Sequence, residues 1–137
     1  MTEREYRILE GLYYSKEHEW ARIEKTGKVR IGITDYAQQT LHEIIFVETV
    51  SIGTKVKQME MIGTVESIKA VSDVFSPISG EVIDVNEDLI MKPELINQDP
   101  YEKGWILLLD PDNLEKDLSQ LMSANKYKVT LEDIDHG

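Results

Sequence analysis

The sequence predicts a mostly β domain of the sandwich or barrel class. Short apolar runs recur at close spacing, turn residues separate them, and little helical periodicity lies between them. The chain has 137 residues, which suits one domain, because two domains within that length would each be cramped. We therefore expect a single domain over residues 1–137.

A β-hairpin and a short helix are predicted in the first third of the chain. Side chains alternate over residues 19–24, residues 25–28 suit a hairpin loop, and residues 29–33 form the returning strand. The alternation then stops, and Thr34 or Asp35 can cap a short helix. One face of that helix is formed by Tyr36, Ala37 and Leu41.

Closely spaced strands are predicted in the middle of the chain. β-branched residues favour strands there, and Gly, Ser and Pro residues separate the runs. The predicted strands cover residues 44–50, 54–56, 59–65, 70–75 and 81–86.

A long connection, one more strand and a helix are expected after the middle strands. Residues 87–104 include a helical turn after Pro93, and residues 105–109 form the last strand. Residues 110–112 can cap a helix, whose apolar face is formed by Leu114, Leu118, Leu121 and Met122. We expect the tail from Thr130 to be frayed or loosely docked.

Composition excludes several classes of function. The formal charge is −11, which repels nucleic-acid phosphates and anionic membrane surfaces, so neither is an expected partner. The chain has no cysteine, which excludes disulfides, thiolate metal ligands and an intrinsic redox dithiol. We find no targeting signal and no apolar run long enough to span a bilayer. We expect a soluble, cytoplasmic monomer.

The sequence lacks recognisable catalytic and metal-binding patterns. His18, His42 and His136 are the only histidines, and none has the spacing of a metal ligand. There is no glycine-rich phosphate loop and no nucleophile elbow. We therefore assign no catalytic residue and no metal ligand. A hydrolase or isomerase on a small β-barrel stays an alternative, which turnover by the isolated chain would reveal.

Lys69 falls between two β-type runs, where the pattern requires a tight turn. A lysine at the tip of a hairpin is accessible to a modifying enzyme. The alternative is an ordinary exposed loop lysine, since such lysines are common. The pattern alone favours the second interpretation.

The segment around Lys69 resembles the attachment region of the glycine cleavage system H protein family. That family has the pattern V-E-S-[VI]-K-A-x-S-D-x-x-S-P-[VI]-S-G-E-V, which residues 65–82 match. Further family blocks follow in the same order, at residues 18–20, 32–38, 46–48, 93–97, 99–101 and 104–105. The resemblance covers residues 12–127 and implies that residues 1–11 and 128–137 are peripheral.

The resemblance implies a barrel–sandwich hybrid of two small antiparallel sheets, lipoyl/biotinyl-like, with short helices and a C-terminal helix. It implies that Lys69 carries lipoic acid as a covalent amide, and methionines do not flank this lysine as they do in biotin carriers. Glu66 would aid recognition by the lipoylating enzyme, and an exposed strand-end carboxylate is the alternative. Glu19 and Asp73 would contact the basic end of the loaded arm. Otherwise Glu19 is a strand carboxylate without a partner, and Asp73 supports a turn.

The function implied by the resemblance is that of a carrier that catalyses nothing itself. The arm would take an aminomethyl group from glycine decarboxylase (P protein) to aminomethyltransferase (T protein), and dihydrolipoyl dehydrogenase (L protein) would reoxidise it. A lipoate ligase or a lipoyl/octanoyl transferase would attach the lipoate. The alternative is an H-like lipoyl scaffold that relays lipoate or serves a sulfur-oxidising system.

Three positions depart from the family pattern. His42 stands where the family has Gly, residues 48–53 lack the usual proline, and Met59 stands in another Gly position. We expect these positions to lie away from Lys69. They would then affect the docking of partners and not lipoylation.

Overall fold

The computed structural model describes residues 5–136 as a mostly β fold with two antiparallel sheets. The strands are β1 Tyr13–Tyr14, β2 Glu19–Ile23, β3 Val29–Ile33, β4 Ile44–Thr49, β5 Lys55–Val56, β6 Met61–Ser67, β7 Val71–Phe75, β8 Gly80–Val85 and β9 Leu107–Pro111. The helices are α1 Asp35–Leu41, α2 Asp88–Met91, α3 Leu95–Gln98, α4 Leu114–Leu118 and α5 Ala124–His136. The predicted fold class is confirmed.

Two layers of strands enclose the main core. The larger sheet has the order β1-β2-β3-β9-β8-β5, and the smaller sheet has the order β4-β6-β7. Apolar side chains from both sheets meet between them, and their removal from water stabilises the fold. Fully buried members of this core are Ala21, Ile31, Ile62, Val65, Val82, Leu107 and Leu109.

The predicted cap of α1 is confirmed at Thr34. Its hydroxyl oxygen accepts a hydrogen bond from the Ala37 N–H at 3.2 Å. Asp35 follows as the first helical residue, where a carboxylate opposes the positive end of the helix dipole. The helix ends at His42, whose φ of 66° and ψ of −149° are rare for a residue with a side chain.

The C-terminal region differs from the single helix predicted after residue 112. Asn113 caps the short helix α4 through its side chain, and α4 ends at Leu118. Met122 is then extended and exchanges two 2.8 Å backbone hydrogen bonds with Tyr14. Met122 therefore does not belong to the predicted helix. It pairs with β1, and the apolar periodicity of residues 114–122 gives no sign of this pairing.

The prediction of a frayed tail from Thr130 is wrong. Helix α5 continues through His136, although the side chain of His136 lies outside the described part of the structure. Tyr127 stacks on Tyr14 with ring centroids 4.6 Å apart, and Leu131 is 2% exposed. These residues bury one face of α5 against β1, so the helix is a packed element. Residues 1–4 of the predicted peripheral segment lie outside the described range.

Relief of backbone strain at His42 gives a stability prediction. We expect His42→Gly to raise the free energy of unfolding by about 1 kcal/mol, because glycine adopts this conformation without a clash at Cβ. The hydrogen bonds of the His42 backbone to Gln38 and Asn97 stay in place. Urea unfolding at equilibrium would measure the change.

A second glycine in the same helix serves as the control for this prediction. Thr40 is exposed within α1, and Thr40→Gly is expected to lower the free energy of unfolding by roughly 0.3–0.5 kcal/mol. A loss of stability in both variants would contradict the strain assigned to His42.

Candidate functional site

Lys69 lies at the tip of the hairpin that joins β6 to β7. The Ser67 N–H donates to the Ala70 carbonyl at 2.8 Å across the turn. The Ser67 hydroxyl oxygen accepts from the N–H groups of Lys69 at 3.2 Å and Ala70 at 3.1 Å. The turn is thus fixed by one serine, and Lys69 is exposed on it. The predicted hairpin position is confirmed.

A second set of hydrogen bonds fixes the hairpin to the rest of the fold. The Ile68 N–H donates to the Glu43 carbonyl at 3.0 Å. Next to Glu43, the His42 carbonyl accepts from the Asn97 side chain at 2.7 Å, and the same side chain accepts from the Ile44 N–H at 2.9 Å. The expectation that His42 lies away from Lys69 is wrong, because residue 43 binds the hairpin tip directly.

Acidic and apolar side chains share the outer face of the smaller sheet beside Lys69. Phe46, Glu66 and Val71 are cross-strand neighbours in one row of this face. The next row holds Glu48, Thr64 and Asp73. The register therefore places the two predicted carboxylates, Glu66 and Asp73, on the same face. Neither row contains a basic residue.

Glu19 does not lie on that exposed face. Its side chain is buried, with 1% of its surface exposed. The carboxylate accepts hydrogen bonds from the Ser15 hydroxyl and, at 3.0 Å, from the Phe75 N–H at the end of β7. Burial raises the pKa of Glu19 to about 7. In this structure Glu19 therefore supports β7 from inside, and its predicted contact with the loaded arm stays a prediction.

Two of the three histidines occupy strained backbone positions without forming a metal site. His18 has a φ of 70°, its Nδ1 lies 2.9 Å from the Tyr127 hydroxyl oxygen, and burial lowers its pKa. This contact joins the residue before β2 to α5 and is structural. Over residues 5–136, no group of three potential His, Cys, Asp or Glu ligands comes together.

Residues that fix the hairpin were missed by the sequence analysis. The Ser67 hydroxyl was detectable, because serine often bonds to the N–H groups two and three residues ahead in a turn. The Glu43 carbonyl was not detectable, because a backbone acceptor gives no signal in side-chain type. Ser15 was missed because its partner Glu19 was expected at the surface.

A lysine presented by a fixed β-hairpin, on a fold of two small antiparallel sheets, defines the class of swinging-arm carrier domains. The sequence model of the family described as Glycine cleavage H-protein matches residues 12–134. The chain belongs to this family. It functions as a lipoyl carrier in glycine cleavage, moving the aminomethyl group between components of that system.

Known proteins are similar to the chain over nearly its whole length. A probable glycine cleavage system H protein of Pyrococcus abyssi is 52% identical over 130 residues, which are 95% of this chain and 96% of the relative. The glycine cleavage system H protein of Oceanobacillus iheyensis is 47% identical over 124 residues, covering 90% and 97% of the two chains.

A solved structure agrees with the fold. The crystal structure of a glycine cleavage system H protein from Mycobacterium marinum superposes with a TM-score of 0.82 at 33% sequence identity. It covers 91% of this chain and 99% of its own chain. In the range 5–136, no helix has the length and apolar character needed to cross a membrane.

Proposed function

We propose that Lys69 is the attachment site of lipoate and that the chain is a non-catalytic carrier component. The observation that carries the proposal is the exposed Lys69 on a hairpin fixed by Ser67 and Glu43. Within residues 5–136 the Lys69 ammonium group makes no ion pair, so none has to be broken before an amide forms. The exposed Lys69 side chain is therefore suited to covalent attachment of a lipoyl group.

The fold supplies a fixed base for a flexible arm. When attached, the lipoyl group supplies the dithiolane sulfurs that a chain without cysteine lacks. Lys69 contributes its own flexible stem, whereas Ser67 and Glu43 restrain the backbone beneath it. This tether keeps the carried group at a high local concentration near each enzyme that the carrier visits.

The carboxylates around Lys69 take separate roles in this proposal. Asp73 is exposed four residues beyond Lys69 and is the direct contact for the cationic end of the loaded arm. Glu66 is half-buried on the same face and serves recognition by the lipoylating enzyme. Glu19 keeps β7 in position through its bond to the Phe75 N–H, and its contact with the arm is a further part of this proposal.

Three enzymes are the partners in this proposal: glycine decarboxylase, aminomethyltransferase and dihydrolipoyl dehydrogenase. A lipoate ligase or a lipoyl/octanoyl transferase is the modifying partner. The family supports the partnership with the glycine cleavage components as a group. The cytoplasmic location, the monomeric state and the domain bounds stay predictions.

Reconstitution with glycine decarboxylase tests the proposed function. Release of carbon dioxide from carboxyl-labelled glycine is expected with chain produced in a lipoate-supplied host, and the unmodified chain should support none. With Asp73→Asn, release should persist, while the loaded arm should lose its carbon unit to water faster. A modified chain that supports no release with an active decarboxylase would favour the lipoate-relay scaffold instead.

A further inference from the structure

Among the strands of residues 5–136, β7 has no neighbouring strand on one edge of the smaller sheet. In an antiparallel pair, the main-chain groups of successive residues point alternately toward the partner strand and away from it. The Ala70 carbonyl accepts from Ser67 at 2.8 Å, so Ala70 faces β6. Counting from there, Val71, Asp73 and Phe75 direct their main-chain N–H and C=O groups away from β6.

Within residues 5–136, Phe75 is the only one of these three residues whose outward N–H is hydrogen bonded to another part of the fold. The Phe75 N–H donates to Glu19 Oε2 at 3.0 Å. No segment in that range hydrogen bonds to the Val71 main chain, and only the adjacent Ser72 hydroxyl approaches the Asp73 carbonyl, at 3.4 Å. The Val71 side chain is 65% exposed, and Asp73 is exposed as well. An open edge of two positions thus begins two residues after Lys69.

We propose that the enzyme that attaches lipoate to Lys69 docks on this open edge by adding an extended segment of its own as a strand beside β7. The inference rests on the proposed function of Lys69. Exposed edge strands are templates for strand addition, in which main-chain hydrogen bonds supply much of the affinity. The added strand pairs with Val71 and Asp73 and ends where Glu19 occupies the Phe75 N–H.

The attaching enzyme is favoured over the enzymes that use the arm, because the edge lies next to the reacting amine. The Lys69 Nζ attacks the carboxyl carbon of lipoyl adenylate, and formation of the amide releases AMP and a proton. Small errors in the position of the attacking atom slow such a step strongly. Main-chain bonds to Val71 hold the hairpin from which Nζ extends. Enzymes acting on the far end of the arm gain less from holding the hairpin itself.

Charge on the sheet indicates the composition of the docking segment. Lys69 is the only basic residue from 61 to 75, and Asp73 and Glu66 are the acidic ones. A strand added beside β7 places alternate side chains next to Val71 and Asp73 on the outer face. Cross-strand pairs of opposite charge or of two apolar groups are stabilising. The segment therefore carries an apolar residue opposite Val71 and a Lys or Arg opposite Asp73.

Proline and alanine variants of the full chain test this docking mode. The N–H groups at 71 and 73 point away from β6, so proline removes an edge donor without removing a bond of the β6–β7 ladder. Alanine at the same position keeps the donor. With lipoate, ATP and a lipoate–protein ligase, intact mass measures the rate of modification. At each position we expect kcat/KM for the proline variant to be about tenfold below that of the alanine variant.

Four results would decide against the inference. Folded V71P and D73P proteins that are modified as fast as V71A and D73A would overturn it. If the proline variants fail to fold, hydrogen exchange of the wild-type chain with the ligase decides. The Val71 and Asp73 amides should exchange at least about tenfold more slowly in the complex, and unchanged exchange of both would overturn the inference. Protection of these amides in a dimer of the chain alone would assign the edge to a second copy. Wild-type chain that gains no lipoyl mass would refute the proposed function of Lys69 and the inference with it.

Discussion

Lys69→Arg is expected to abolish attachment of lipoate completely. The guanidinium group stays protonated at physiological pH and offers no amine lone pair for amide formation, although the substitution keeps the positive charge. Because Lys69 is exposed on the hairpin tip, the variant should fold normally, with a free energy of unfolding within about 0.5 kcal/mol of the wild type. Intact mass of protein from a lipoate-supplied host would show the lipoyl increment in the wild type alone.

An exposed lysine elsewhere gives the matched control. Lys92 directly follows α2 and, like Lys69, is exposed to solvent. Lys92→Arg should keep the full lipoyl increment. Any lipoyl mass on the Lys69→Arg protein would place the attachment site on another residue and would remove the basis of the proposed function.

The hairpin and its lysine could be predicted because local sequence determines them. Two alternating runs separated by a few residues specify a hairpin, and a lysine at its tip has no core to enter. The same holds for the cap at Thr34, which depends on one side chain and an N–H three residues ahead. Such features need no knowledge of distant parts of the chain.

Features that depend on contacts between distant residues could not be predicted. Met122 is extended because it pairs with Tyr14, which lies more than one hundred positions away in sequence. Helix α5 is ordered because Tyr127 stacks on the same tyrosine. Glu19 has a carboxylate, which favours the surface, yet Ser15 and the Phe75 N–H satisfy it inside the fold. Sequence reasoning therefore failed where a residue's conformation or burial depends on a distant partner.

The position of Glu19 also bears on how the edge strand β7 is kept in place. The buried carboxylate replaces a neighbouring strand as the acceptor for the Phe75 N–H. A backbone donor left unpaired in the interior would destabilise the fold, so this bond joins β2 to the base of the lysine hairpin. Its free-energy contribution depends on the protonation state of Glu19, which makes the stability of the fold pH-dependent.

Glu19→Gln is expected to remove a loss of stability that the wild type shows as pH rises. Burial raises the pKa of Glu19 from 4.5 to about 7, so the folded chain keeps the proton over a pH range in which the unfolded chain has released it. The contribution of Glu19 to the free energy of unfolding is therefore fully present below about pH 4.5. It falls as the pH rises to about 7, by a total of about 3 kcal/mol. Glutamine accepts from the Phe75 N–H without a titrating group. Urea unfolding from pH 5 to pH 8 should show the variant gaining stability relative to the wild type as pH rises.

Glu24, which directly follows β2, provides a control of opposite sign. Partial burial alone would raise its pKa, but the hydrogen bond from Arg30 and the charge of Arg22 hold the pKa below its ordinary value. Its carboxylate therefore stabilises the fold at neutral pH, and this contribution is lost as pH falls. The deficit of Glu24→Gln should stay constant from pH 8 to about pH 4.5 and shrink only below that, whereas the advantage of Glu19→Gln should grow from pH 5 to pH 8. Parallel profiles for the two variants between pH 5 and pH 8 would contradict the burial of a protonated Glu19, because the Glu19 shift acts within that range and the Glu24 shift acts below it.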